Sequence, residues 1–290
     1  MPQAIGLIGL GLMGSALAQR LLNAGFPVVG FDLDPAKRRA LEEIGGMPAP
    51  SIGAVAERCD TVLIAVLTGE QVAEVIEGEG GLLTADRHLT IFCTATCDPS
   101  TIAAIEDRVR DGGSSFLDAP VSGSSGQVAK GEGLGLIGGD PAVAEQCREV
   151  LTAIYPRHVH VGAAGDGSRA KLAINLALGL NRLALAESLA FAERIGLDPS
   201  RFLSIARESA AYSQIMDVKG QKMLEGDFTP QGKIVQSRKD VHLILQEANR
   251  AGQRLPLAEV LLGVLEGCMS NGEGDWDNSA VIREVRRRRT

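Results

Sequence analysis

The sequence predicts an α/β chain in three parts: an N-terminal doubly wound sheet, a long interdomain helix and an all-helical C-terminal domain. Three observations carry this reading. Over roughly the first 160 residues, short apolar runs alternate with stretches of helical period, which is how a parallel sheet covered on both faces is written. A glycine-rich turn follows directly after the first apolar run. Beyond Gly162 no run has strand character, and apolar residues recur at helical spacing.

In chain order, Ala4 to Gly9 reads as a strand, Ser15 to Ala24 as a helix and Pro27 to Asp32 as the next strand. Asp34-Pro35 reads as a cap followed by proline at the first helical position. Thr61 to Leu67, Leu89 to Cys93, a run ending at Asp118 and a run at Leu134 to Ile137 are further strands, and Pro156 to Gly162 (PRHVHVG) is another. From Ser168 to Ile195 an apolar series (Leu172, Leu176, Leu180, Leu183, Ala190) keeps helical period. A helix of that length spans about 42 Å, enough to join domains or cross an oligomer interface. Gly196 and Pro199 end it. The remainder reads as helices separated by GDFTPQG, NRAGQRLP and NGEGDWDN, all turn chemistry. The expected division is residues 1–162 as a nucleotide-binding domain and 163–290 as a helical domain for substrate and oligomer contacts.

Hydrophobic residues are 45% and charged residues 22% of the 290-residue chain, a globular balance. The formal net charge of -7 and an aromatic content of 3% disfavour nucleic acid as a partner. The closing REVRRRRT is expected to be a solvated terminus. The start MPQAIGLIGLGLMG lacks a basic leader segment, and no charge-free apolar run of about 18 residues is present. No membrane span and a cytoplasmic location are therefore expected. Cys59, Cys93, Cys97, Cys147 and Cys268 are scattered, and the Cys93/Cys97 pair has no second pair to complete a zinc site. They are expected to be buried free thiols, with no bound metal. His158 and His160 are expected to be structural, and His88 to lie in a loop.

Gly9-Leu10-Gly11-Leu12-Met13-Gly14 has the GxGxxG spacing, follows a strand and opens a helix. Gly9 permits the tight turn, Gly11 lets a pyrophosphate approach the backbone, and Gly14 lets helix pack on strand. The helix N-terminus then offers unpaired N–H groups to phosphate. Asp32 closes the second strand, 18 positions beyond Gly14, where an acidic residue takes the adenosine ribose hydroxyls. Its carboxylate opposes a 2′-phosphate, so NAD is favoured over NADP. Lys37, Arg38 and Arg39 keep NADP in play.

Four stretches in series, GLGLMG, DAPVSGSSG, GAAGDGSRAKLAIN and RKDVHLIL, resemble the β-hydroxyacid dehydrogenases in order and spacing, from Ile5 to about Ile282. That family includes 3-hydroxyisobutyrate dehydrogenase, tartronate semialdehyde reductase and the glyoxylate and succinic semialdehyde reductases, with 6-phosphogluconate dehydrogenase more distant. The resemblance implies a Rossmann domain, a long interdomain helix and a helical C-terminal domain; separately, apolar residues on more than one face of the long helix lead us to expect at least a dimer, a homodimer or homotetramer. The resemblance also implies hydride transfer between NAD(P) and a short 3-hydroxy acid or semialdehyde. By resemblance, Ser122, Gly123 and Ser124 bind the substrate carboxylate, Lys171 is the catalytic acid/base and Asn175 holds the substrate. Lys239 lies beside cofactor and substrate, and Val66, Leu67 and Thr96 contact the nicotinamide side. The chain departs from the usual pattern at Ser124 (a second glycine), Ile174 (a first asparagine), Cys93 (an aspartate) and Ala95 (a serine).

The chemistry accounts for these residue types. Oxidation of an alcohol by hydride transfer leaves a proton to remove, and reduction needs it returned; one positioned group serves both directions. A desolvated lysine has its ammonium pKa lowered toward working pH. Lys171 and Asn175 are four apart, hence on one helix face. Two other readings use the same fold: an imine reductase-like enzyme, whose relatives lack the lysine at position 171, and a non-catalytic dinucleotide-binding scaffold, which would not need it.

Overall fold

The computed structural model describes residues 2–288. The elements run β1 (Ile5–Ile8), α1 (Leu12–Asn23), β2 (Val28–Phe31), α2 (Pro35–Glu43), β3 (Met47–Pro48), α3 (Ile52–Ala56), β4 (Thr61–Ile64), α4 (Gly69–Glu77), β5 (Thr90–Cys93), α5 (Pro99–Asp111), β6 (Ser115–Asp118), β7 (Val121–Ser122), α6 (Ser125–Ala129), β8 (Leu134–Gly139), α7 (Pro141–Gln146), α8 (Arg148–Ile154) and β9 (Arg157–Gly162). Helices follow: α9 (Asp166–Arg194), α10 (Pro199–Glu208), α11 (Gln214–Glu225), α12 (Ile234–Arg250), α13 (Pro256–Ser270) and α14 (Val281–Arg287). The chain forms two compact units, residues 1–171 and 172–290, so the contact boundary falls inside α9 and the first turn and a half of that helix belongs with the sheet.

The first unit is built on one sheet in the order β3-β2-β1-β4-β5-β6-β8, with β7 and β9 also paired to β8. β3, β2, β1, β4, β5 and β6 are parallel. Successive side chains point to opposite faces, which divides the core in two. Ile8, Val62, Ile64, Ile91 and Cys93 pack with α3, α4 and α5 on one face. Ile5, Leu7, Leu63, Phe92 and Leu117 pack with α1 and α8 on the other. Helices therefore cover both faces, as the near-continuous apolar strands predict.

The sheet is not parallel throughout. β8 runs antiparallel to β6 and to β7. A parallel return needs a crossover long enough to traverse the sheet, and the five-residue α6 is too short for that. Parallel order resumes at β9, which pairs with β8.

The second unit is helical, around a core that includes Leu185, Leu189, Leu203, Met223, Val241, Leu261 and Leu265. α9 is long and apolar enough, by length and composition alone, to cross a membrane. It nevertheless buries the charged side chains of Lys171 and Arg182 within the protein. The Arg-rich end is not a free tail. α14 ties it down through Arg283 and Arg287 to the buried Glu273, Arg288 to Glu284 and Arg286 to Glu193. Helical spacing alone hides these pairs, because Glu273 stands across a turn, 10 and 14 residues from its arginines, and Glu193 is 93 residues from Arg286. Arg289 and Thr290 lie outside the described residues.

Candidate functional site

The carboxyl ends of β1, β2, β4, β5 and β6 lie along one edge of the sheet, because those five strands are parallel. Gly9–Gly14, Asp32, Val66-Leu67, Thr96 and Ser122–Ser124 all follow these ends. The strand order reverses between β1 and β4, the position where open α/β sheets take their ligands.

The glycine turn is sterically determined. Gly9 has φ +91°, and a Cβ there would stand 2.8 Å from the Ala65 carbonyl oxygen. A Cβ at Gly14 would collide with the Gly9 carbonyl oxygen, so only glycine lets α1 start this close to β1. A Cβ at Gly11 would meet nothing within 4 Å. Gly11 caps α1 without a side-chain hydrogen bond, as a residue lacking a side chain must, so the first-turn N–H groups receive no cap from it. An open approach at Gly11 over an uncapped helix start fits a pyrophosphate. Leu10 braces the turn instead: its side chain is buried and its N–H donates to Asp32 Oδ2 at 2.8 Å.

Asp32 is held on both oxygens. Oδ1 accepts from the Asp34 N–H at 2.9 Å, and Lys37 Nζ lies 3.4 Å from both oxygens. Partial burial works to raise its pKa, but the Asp34 and Leu10 N–H groups and the Lys37 ammonium hold it below the usual carboxylate value. Arg38 donates to the Asp32 carbonyl and lies over the Phe31 ring, 5.7 Å from its centroid. An ionised acceptor with two cations nearby can hold ribose hydroxyls. The same cations are the groups that would meet a 2′-phosphate.

The Leu67 and Thr68 N–H groups are engaged with Gln71 Oε1 at 2.9 and 3.2 Å, in the capping box that starts α4. Val66 and Thr96 are half-buried in the loops after β4 and β5. In the loop after β6, Gly123 has φ +153° and a Cβ there would stand 3.3 Å from Gly133 Cα. Ser124 is committed locally: its N–H donates to Gln127 Oε1, and its hydroxyl accepts from the Gln127 N–H. Its N–H is thereby engaged, while its hydroxyl, which only accepts here, keeps a proton to donate.

Asp118, at the end of β6, is fully buried. Its Oδ2 accepts from the Gly165 and Ser168 N–H groups at 3.1 and 2.7 Å, and its Oδ1 from the Ser168 hydroxyl at 3.0 Å. Burial pushes its pKa up to about 6, against these hydrogen bonds. Lys171 follows Ser168 by three residues on α9 and is only 8% exposed.

In the second unit, Asn175 donates from Nδ2 to Asp240 Oδ2 at 2.8 Å. Lys239 Nζ lies 3.2 Å from Asp240 Oδ1. The buried Arg182 has its pKa pushed down to about 10 by desolvation, opposed by the Asp277 and Asp240 carboxylates. Asp277 in turn takes Lys219 Nζ at 2.9 Å on each oxygen, and the Gln231 and Ser279 N–H groups at 2.8 and 3.0 Å. Asn175 is thus paired with a half-buried carboxylate, Asp240, whose charge also bears on the buried Arg182.

Residues 4–162 match the family model described as the NAD binding domain of 6-phosphogluconate dehydrogenase. Residues 165–285 match that described as NAD-binding of NADP-dependent 3-hydroxyisobutyrate dehydrogenase. The chain belongs to the β-hydroxyacid dehydrogenase family. Among relatives of this family member, L-threonate dehydrogenase of Cupriavidus necator is 33% identical over 98% of this chain and 96% of its own length. The 2-hydroxy-3-oxopropionate reductase of Escherichia coli is 31% identical over 97% and 96%. The crystal structure of a 3-hydroxyisobutyrate dehydrogenase from Salmonella typhimurium superposes with a TM-score of 0.89 at 28% identity, covering 97% of this chain and 99% of that one. The protein is an NAD(P)-dependent oxidoreductase.

No local motif singles out Asp118, Ser168, Arg182 or Asp277 as functional. Asp118 and Ser168 stand inside DAPVSGSSG and GAAGDGSRAKLAIN, where the resemblance assigns roles to their neighbours, and Asp277 lies in a polar turn; the partners that mark Asp118 and Asp277 include groups 46 to 58 residues away. Where the family usually has aspartate and serine, Cys93 and Ala95 are buried in the core. His158 Nδ1 and His160 Nε2 each contact a backbone carbonyl at 2.8 Å, of Tyr155 and Gly139, and His88 Nδ1 contacts that of Gly113 at 2.7 Å. The cysteines carry no disulfide; four are buried and Cys147 is half-buried. Among the described residues, no three of His, Cys, Asp and Glu form a metal-holding group.

Proposed function

We propose that this dehydrogenase catalyses reversible oxidation of a short, carboxylate-bearing hydroxy acid, with NAD preferred and Lys171 as the general acid/base. The observation that carries the reading is a lysine only 8% exposed, on the helix that the family motif occupies. A surface lysine keeps its ammonium in water; a buried one is a proton carrier of adjustable pKa.

Residues 1–162 would bind the dinucleotide through Gly9–Gly14, with Asp32 on the adenosine ribose and Val66, Leu67 and Thr96 on the nicotinamide side. Residues 163–290 would supply substrate contacts and the surface for a homodimer or homotetramer. When bound, the nicotinamide accepts or returns the hydride. The chain's own groups do the rest. Ser122 and Gly123 orient the carboxylate. The Asn175 amide, held at Nδ2 by Asp240, offers its oxygen to the substrate hydroxyl. Lys171 takes the hydroxyl proton in oxidation and returns it in reduction. Lys239 keeps the cofactor-side role that the resemblance gives it. The free thiols and the composition support a cytoplasmic protein without nucleic-acid or membrane partners.

The names of the relatives define the test. L-threonate and 3-hydroxyisobutyrate would be offered with NAD and NADP, and 2-hydroxy-3-oxopropionate, glyoxylate and succinic semialdehyde with NADH and NADPH, following absorbance at 340 nm. Turnover of at least one acid, faster with NAD or NADH, is expected. No turnover of any would overturn the substrate class, and faster NADP-linked turnover would overturn the cofactor preference.

A further inference from the structure

The start of α9 is held more tightly than its sequence requires. Three glycines close on it. A Cβ at Gly167 would stand 2.7 Å from the Leu136 carbonyl oxygen and 2.9 Å from that of Asp118. A Cβ at Gly138 on β8 would stand 2.5 Å from the Ala163 carbonyl oxygen, and one at Gly165, with φ +92°, 2.6 Å from that of Pro99. The backbone of this turn therefore rests directly on the backbone of β6, β8 and the start of α5, at positions where a Cβ would not fit. At the centre of the contact, the Asp118 carboxylate takes two N–H groups and one hydroxyl from the turn.

An ordinary helix cap is a residue of the same segment. Here the acceptor comes from β6, about 50 residues away in sequence. Gly165 and Ser168 are thereby fixed to the same strand whose end leads into Ser122 and Gly123. Ser168 and Lys171 are three apart, so they share a helix face, and both are buried.

We propose that Asp118 is a positioning residue for Lys171: by clasping the first turn of α9 to the end of β6, it fixes where the lysine ammonium stands relative to the Ser122-Gly123 loop. The inference rests on the acid/base role proposed for Lys171. A misplacement of about 1 Å in such a group costs on the order of 100-fold in rate without touching cofactor binding. No proton need pass through Asp118. Its work is geometric, so an asparagine should replace it: the amide oxygen accepts from the two N–H groups, and the amide nitrogen donates to the Ser168 hydroxyl, which can accept.

The test compares Asp118→Ala, Asp118→Asn and Ser168→Ala with the unmodified enzyme on whichever substrate it turns over, measuring kcat, KM, the dissociation constant for NADH by fluorescence and amide hydrogen exchange across residues 163–172. Asp118→Ala should lose about 30-fold or more in kcat, keep NADH affinity within about twofold and exchange faster in that peptide. Asp118→Asn should keep kcat within about threefold and exchange near that of the unmodified chain. Ser168→Ala, which loses one bond of the three, should fall between them and serves if Asp118→Ala does not fold. Near-normal kcat in Asp118→Ala, or in Ser168→Ala should that variant alone fold, overturns the proposal, and so does equal loss in the asparagine and alanine variants. Slow exchange retained in Asp118→Ala overturns it even without a substrate. Lys171→Ala, run alongside, separates the two readings: if it keeps turnover, the acid/base assignment fails; if it loses turnover while Asp118→Ala does not, only the clasp fails.

Discussion

The side-chain amide of Asn175 donates to the carboxylate of Asp240 at 2.8 Å, from α9 to α12, across 65 residues of sequence. The bond decides how the amide faces: with Nδ2 on a carboxylate, the amide oxygen is turned elsewhere as an acceptor. In the proposed mechanism this residue orients the substrate hydroxyl without carrying its proton. Asn175→Ala should therefore lower kcat/KM by about tenfold, with much of the loss in KM, a smaller effect than removal of a proton carrier. Steady-state kinetics check this. A loss as large as that of Lys171→Ala would give Asn175 a role in the chemistry.

The proposed preference for NAD rests on Asp32. Its carboxylate is braced by the Leu10 and Asp34 N–H groups and stays ionised. Asp32→Ser should weaken NAD about tenfold, the scale of a charge-assisted hydrogen bond, and relieve repulsion of a 2′-phosphate. Lys37 and Arg38 would then be freed to meet that phosphate. The expected result is a narrowed or reversed ratio of kcat/KM for NAD over NADP. An unchanged ratio would contradict the assignment.

Asp118 makes stability depend on pH. Burial raises its pKa from 3.8 to about 6, with the nearby Asp166 carboxylate adding to the rise and the Ser168 and Gly165 donors opposing it. Cys93, its register partner on β5, is a buried thiol whose pKa is raised well above its usual value, so it carries no charge there. Because the folded state binds the Asp118 proton more tightly than the unfolded chain, this group's contribution is fully present below about pH 4 and is lost as pH rises through about 6. The shift corresponds to up to ~3 kcal/mol. Asp118→Asn carries no such ionisation. Urea unfolding of both proteins from pH 4.5 to 7.5 should show the asparagine variant gaining relative stability as pH rises; parallel profiles would contradict this.

The Lys219–Asp277 pair lies inside the second unit, with side chains 5% and 0% exposed. Asp277→Ala would strand the Lys219 and Arg182 charges and should destabilise by about 3–5 kcal/mol. The double replacement Lys219→Met with Asp277→Ala should recover part of that loss. The checking measurement is the urea midpoint at constant slope.

Much of this molecule is legible in local pattern. Strand-to-helix alternation, the GLGLMG spacing and the helical period after Ser168 reflect contacts within one element or between consecutive elements, so periodicity reports them. The antiparallel β8 is not legible, because LGLIGG looks alike in either direction and only the shortness of α6 decides. The Arg-rich end reads as a solvated terminus, and its arginines are exposed or, at Arg286, half-buried; what the spacing does not report is their pairing with Glu193 and Glu273. Asp118 and Asp240 stand in motifs that single out their neighbours. Their own partners lie 47 to 65 residues away, and burial with pairing at that range leaves no periodic trace.

That Lys171 moves the proton is tested most directly by the turnover of Lys171→Ala against the unmodified enzyme, with NADH affinity measured on the same samples. A drop in turnover by about 100-fold or more, with cofactor affinity unchanged, is expected, the usual scale for loss of a general acid/base. Lys171→Arg should fail to restore it, since a guanidinium stays protonated. Near-normal turnover in Lys171→Ala would contradict the mechanism while leaving the dinucleotide fold untouched.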